Sequence, residues 1–125
     1  MFFIKIKVKG NLKNLTENTE ELINTKGIKK SNIISYIIDD TKHKLILDGN
    51  KITLQRENSE FSHRMIFIEN MITASEYYLK ESNYSLEFNI LTTKLIIDNN
   101  KIYITYKILE SENTYNYILE VSDNL

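Results

Sequence analysis

A chain of 125 residues with a net charge of −1 has the length of one domain and can bury a sizeable core. Its balanced charge exerts no general pull toward nucleic acid or an anionic membrane. The absence of cysteine excludes a disulfide framework, thiolate zinc and a thiol nucleophile. No apolar run approaches the roughly 18 residues of a membrane-spanning helix. The opening "MFFIKIKVKG" alternates charge where a secretory leader would be continuously apolar. A single cytoplasmic domain over residues 1–125 is therefore expected.

In chain order, the dominant period is two, the period of a strand with one dry and one wet face. Phe2, Ile4, Ile6 and Val8 alternate with Lys5, Lys7 and Lys9. Residues 11–24 offer the one place where a short helix competes, with Thr16 and Glu20 as a loose cap, but strand fits better. Strands are predicted over 19–26, 33–39, 60–68 and 71–80. Residues 84–92 alternate Tyr84, Leu86, Phe88 and Ile90 with Ser85, Glu87 and Asn89. Residues 101–110 place Ile102, Ile104, Tyr106 and Ile108 on one face, and 115–121 do the same with Tyr115, Tyr117, Leu119 and Val121. Such alternation is antiparallel chemistry. With no helix between strands, the fold is a sandwich or a barrel. The meander order favours the barrel, because closure removes exposed edges.

"KLILDGNKITL" at 44–54 and "KLIIDNNKIYI" at 94–104 share seven of eleven residues. A two-residue turn at Gly49–Asn50 sets Asp48 against Lys51, Leu47 against Ile52 and Leu45 against Leu54. A turn at Asn99–Asn100 sets Asp98 against Lys101, Ile97 against Ile102 and Leu95 against Ile104. Gly and Asn tolerate the positive φ that a type I′ turn requires at both central positions. The flanking sequences do not match, so these are two hairpins under one local constraint rather than a duplicated half-domain.

The middle of the chain resembles the YwiB-like bacterial proteins, a family of unknown function. The resemblance rests on Arg56 after an apolar strand, then Phe67, Thr73 and Tyr77, then the run from Leu86 to Thr92, and it covers roughly residues 44–121. It departs at "KESNYS", where the family has a glycine-containing turn and this chain has Asn83. What the resemblance implies is an all-β, single antiparallel meander β-barrel of the calycin-like (lipocalin-type) kind, with about 8–10 strands. It implies no reaction. The Gly-x-Trp element of true lipocalins is missing, since the chain has no tryptophan.

In a barrel, function concentrates inside. Alternation points Arg56 inward on the face of Ile52 and Leu54, and puts His63 with Phe61, Met65 and Phe67. It also groups Thr73, Ser75 and Tyr77 on one face of their strand. Arg56, His63, Thr73, Ser75 and Tyr77 thus form a half-polar lining suited to a small amphipathic or anionic ligand. The alternative is a plugged barrel acting as a structural or interaction module.

Catalytic residues, metal ligands and cofactors are not expected. His43 and His63 lack metal-ligand spacing, and no nucleophile elbow or phosphate loop is present. Lys5, Lys7 and Lys9 with Tyr103 make a basic stripe beside an aromatic, yet nucleic acid is not expected at a sequence pI near 6.1. Outward Ile46, Ile96, Tyr103 and Ile118 suggest a monomer or a weak homodimer.

Overall fold

The computed structural model describes residues 2–123. Ten strands follow one another: β1 (Ile4–Asn14), β2 (Thr19–Lys30), β3 (Ile33–Ile38), β4 (Thr41–Asp48), β5 (Lys51–Glu57), β6 (Phe61–Ile68), β7 (Met71–Leu79), β8 (Tyr84–Asp98), β9 (Lys101–Ile108) and β10 (Asn113–Asp123). Each pairs antiparallel with its sequence neighbours, and β1 pairs with β10 to close the barrel. Residues 11–24 are strand, turn and strand, with no helix.

The first strand is not an edge: β1 has a partner on both sides, and Lys5, Lys7 and Lys9 stand on its outer face. At the seam the backbones come so close that a Cβ on Gly10 would lie 1.8 Å from the Ile118 carbonyl oxygen. Only glycine fits there. Phe2, placed inward by alternation, is instead 93% exposed, and Ile4 is also exposed. The strand begins at Ile4, and these two residues lie before the ring of core side chains. The dry face starts at Ile6.

The core is the inner layer that alternation selects. Ile6, Val8, Leu45, Ile52, Phe67, Ile90, Ile104 and Leu119 are fully buried. Removing such side chains from water supplies about 1.5–3 kcal/mol each. The chain achieves its tight connections with three glycines and no proline. Asparagine, aspartate and serine take over: Asn18, Ser31, Asp39, Asp40, Asn70, Asn83 and Asn99 all have positive φ. Short polar side chains tolerate that conformation better than others do. Asn83, in the connection between β7 and β8, has φ 51°. In the β5–β6 connection, Asn58 caps the turn by accepting from the Glu60 and Phe61 amides.

Both twin hairpins have the predicted register, Asp48 opposite Lys51 and Asp98 opposite Lys101. Their turns are not type I′. Positive φ occurs only at Gly49 (62°) and Asn99 (53°), the first central residue of each. Asp39 and Asp40, at 49° and 65°, form the one two-residue connection with both central residues left-handed. Strand β8 is a single 15-residue element with a bulge between Thr92 and Lys94. The extra residue, Thr93, inverts the facing. Before it Leu86, Phe88, Ile90 and Thr92 point inward; after it Leu95 and Ile97 do.

The meander sorts the turns by end. Those at 15–18, 39–40, 58–60, 80–83 and 109–112 lie at one end, called here the mouth; the rest lie at the other, with both described termini.

Candidate functional site at the barrel mouth

Strand register assembles the site. Tyr36 opposes His43, His43 opposes Arg56, Arg56 opposes His63, His63 opposes Tyr77 and Tyr77 opposes Leu86. One inward row thus crosses six strands, one layer above the apolar floor formed by Leu45, Leu54 and Met65.

Arg56 is the hub. It is half-buried, its Nε and one terminal nitrogen donate to His63 Nδ1 at 3.3 and 2.9 Å, and its guanidinium lies 5.3 Å from the Phe61 ring centre. Arginine can only donate, so His63 Nδ1 carries no proton. The imidazole proton then sits on Nε2, which donates to Ser75 Oγ at 2.9 Å. Burial and, second, the Arg56 charge push the His63 pKa down to about 4. His43 is likewise held down to about 4, by burial first and then by Arg56. It stacks on Tyr36 with ring centres 4.6 Å apart. Its Nδ1 donates to the Thr41 carbonyl at 3.2 Å.

Tyr36, at one end of this row, meets further buried tyrosines behind it. The Tyr36 and Tyr117 hydroxyls hydrogen-bond to each other. Burial pushes Tyr36 up to about 12 and raises Tyr106 and Tyr117 as well, while the positive charge of Arg56 opposes each shift. Tyr106 stacks on Tyr115 and tilts against Phe67. Deeper still, Thr92 is fully buried and its hydroxyl meets no partner.

Arg56 forms no ion pair among the described residues; the carboxylate on the inner face near it is Glu21 of β2, opposite Leu12, which with Arg56 sets the field at Tyr36. The three ion pairs, Lys13–Glu20, Arg64–Glu76 and Lys80–Glu57, all lie on the outer wall. Among the described residues no group of three His, Cys, Asp or Glu is placed to hold a metal.

Of the five residues singled out from sequence, Arg56, His63, Ser75 and Tyr77 form one contact set, Tyr77 stacking on Phe61 and tilting against His63. Thr73 stands apart: its hydroxyl donates to the Ile66 carbonyl. The β6–β7 ladder covers only Phe61–Arg64 with Glu76–Leu79, so Thr73 bridges the two strands where backbone pairing lapses. Sequence reasoning missed Tyr36, His43 and the inward tyrosines as site members. Extending the first hairpin's register two pairs beyond Leu45 and Leu54 reaches His43 opposite Arg56, so that signal was present.

The architecture is a closed ten-stranded meander barrel with a cationic, tyrosine-lined mouth. No protein-family model matches the chain, and no curated protein matches it by sequence. Among solved structures, the crystal structure of the YwiB protein from Bacillus subtilis is similar over 98% of this chain and 92% of that one, with a TM-score of 0.70 and 19% identity. At that identity the likeness is one of fold, and it is the barrel that the sequence resemblance implied.

Proposed function

We propose that the protein binds a small anionic or amphipathic molecule in the mouth of a calycin-like barrel, with Arg56 receiving the anion. The observation that carries this reading is a guanidinium on the inner face of the barrel that forms no ion pair, with Glu21 the carboxylate facing the same mouth. An inward charge without a counter-ion is costly unless something else compensates it. The free guanidinium donors, the tyrosine hydroxyls and the apolar rim at Phe61, Leu86 and Phe88 suit a head-inward, tail-outward ligand.

The reading is non-catalytic. Ser75, His63 and Arg56 line up like a hydrolytic triad, but the polarity is reversed. A serine hydrolase needs a His nitrogen free to accept the serine proton, with the other nitrogen donating to a carboxylate. Here Arg56 occupies the accepting nitrogen and His63 donates to Ser75, so the hydroxyl is not activated.

The runner-up is a plugged barrel serving as an interaction module. It is favoured by the mouth groups that bond one another, Arg56 to His63 and Tyr36 to Tyr117. Native mass spectrometry of freshly purified protein separates the two. A retained small molecule, lost in Arg56→Gln, supports binding. A bare chain that also fails to take up 1-anilinonaphthalene-8-sulfonate supports the plug.

A further inference from the structure

A second feature lies on the outside of the barrel, on strands β1 to β5, of which β3 to β5 also carry the mouth row. A groove of about 840 Å³ runs over β1 to β5. Its floor is apolar: Ile28 on β2 and Ile37 on β3 are 42% and 55% exposed. Lysines border that floor on both sides. Lys5 and Lys26 stand on β1 and β2, and Lys42 and Lys44 stand on β4. Register fixes the order, with Lys5 opposite Ile28 and Lys42 opposite Ile37. The one carboxylate in the lining, Glu57, is held at 2.9 Å by Lys80, the first residue of the turn after β7. The four lysines form no ion pair among the described residues.

We infer that this groove is a docking site for an amphipathic α-helix of a partner protein, its apolar stripe bordered on both sides by acidic residues. Spacing selects the helix. From β2 to β4 is two strand intervals, about 10 Å, and from β1 to β4 three, about 14 Å. A helix with its side chains is about 10–12 Å across. Laid over Ile28 and Ile37, it presents residues on both flanks to the two lysine pairs. A single extended peptide, about 5 Å wide in the plane of the sheet, cannot reach both. The groove's side chains offer no exposed aromatic ring for a nucleobase to stack on, since Tyr36 and His43 face inward beneath it. The chain has no helix of its own among the described residues, so the occupant is not a second copy. The mode is the helix-in-groove recognition in which apolar anchors give affinity and flanking charges give orientation.

The test uses the full-length protein and a fluorescent peptide of about 18 residues, long enough to be helical, with a leucine stripe flanked by glutamates. Fluorescence anisotropy is expected to show saturable binding that weakens with added salt. Lys42→Glu/Lys44→Glu and Ile37→Asp should each reduce affinity about tenfold or more. Lys9→Glu, on β1 outside the groove, should leave it unchanged. All four positions are exposed, and circular dichroism checks that each variant remains folded. A peptide of the same composition with the stripe scrambled should bind at least tenfold more weakly. No binding at low salt, equal binding of the scrambled peptide, or indifference to the groove variants overturns the proposal. Tighter groove-dependent binding of phosphatidylglycerol vesicles or a single-stranded oligonucleotide overturns it too, assigning the lysines to another partner.

Discussion

The hairpins β4–β5 and β8–β9 share their turn chemistry and most of their residues, yet they contribute different layers to the barrel. In β4–β5 the ladder runs unbroken from Asp48 and Lys51 to Lys42 and Glu57. Two residues beyond the Leu45–Leu54 pair it therefore delivers His43 and Arg56 to the interior. In β8–β9 the bulge at Thr93 intervenes just past Leu95 and Ile104, and the next inward pair is Thr92 with Tyr106. One hairpin feeds charge to the mouth and the other feeds hydroxyls to the centre. Identical local words fix a turn and its register, while the residues beyond decide what the register carries inward.

Deleting Thr93 breaks this comparison most severely. Removing the bulge residue turns Leu95 and Ile97 outward, or pulls Ile90 and Thr92 out of the core. The deletion is expected to abolish cooperative unfolding, read by circular dichroism during thermal denaturation. Persistence of a wild-type transition would show that the bulge is dispensable.

Next are the equivalent leucines. Leu45 is fully buried, whereas Leu95 only packs against the core from its margin. Leu45→Ala should cost about 3–4 kcal/mol in urea unfolding and Leu95→Ala about half as much. Equal losses would mean that the two hairpins seal the core equivalently.

The polar layer supplies a third difference, visible in pH. His43 and His63 have folded-state pKa values of about 4, below the unfolded 6.5. Between those values the unfolded chain binds more protons, so stability is full above about pH 6.5 and falls as pH drops toward 4. Discounted for partial exposure, the loss amounts to about 2 kcal/mol in total. Below that window Glu57, held down by Lys80, and Glu110, held down by the Asn89 amide, add to the acid sensitivity. Arg56→Met should move both imidazole titrations upward, while Tyr106→Phe in the second hairpin should not lower them, as followed by the ring-proton NMR signals. Burial alone would account for the shifts if Arg56→Met left them in place.

The turns give the smallest effects. Gly49→Ala forces a Cβ into φ 62° and should cost about 1 kcal/mol, whereas Asn99→Gly should be neutral or slightly stabilising. Asn50→Ala and Asn100→Ala are expected to change the denaturation midpoint little, because neither site has positive φ. A large loss at either would restore the type I′ reading.

Much of this architecture is legible locally. A period of two is a property of each strand by itself, so Ile52, Leu54 and Arg56 share a face whatever the sheet does around them. The turn residues fix hairpin register, and register fixes the opposition of Asp48 and Lys51. Arg56, His63, Ser75 and Tyr77 could be grouped on that basis. Thr73 could not be set aside, because its bond to the Ile66 carbonyl exists only where the β6–β7 ladder fails.

The sequence by itself therefore determined the strands, the inside and the outside of each, and the pairing of neighbours, since those follow from alternation and short turns. The tertiary structure alone decided three things. It decided how the expected closure is made, with β1 seated against β10 at the bare backbone of Gly10. It brought Tyr36 to Tyr117 across 81 residues of chain. And it left Arg56 inside the closed wall, and the four groove lysines outside it, without ion pairs among the described residues. Which charges find partners depends on the barrel's curvature and stagger, and these are set by all ten strands together.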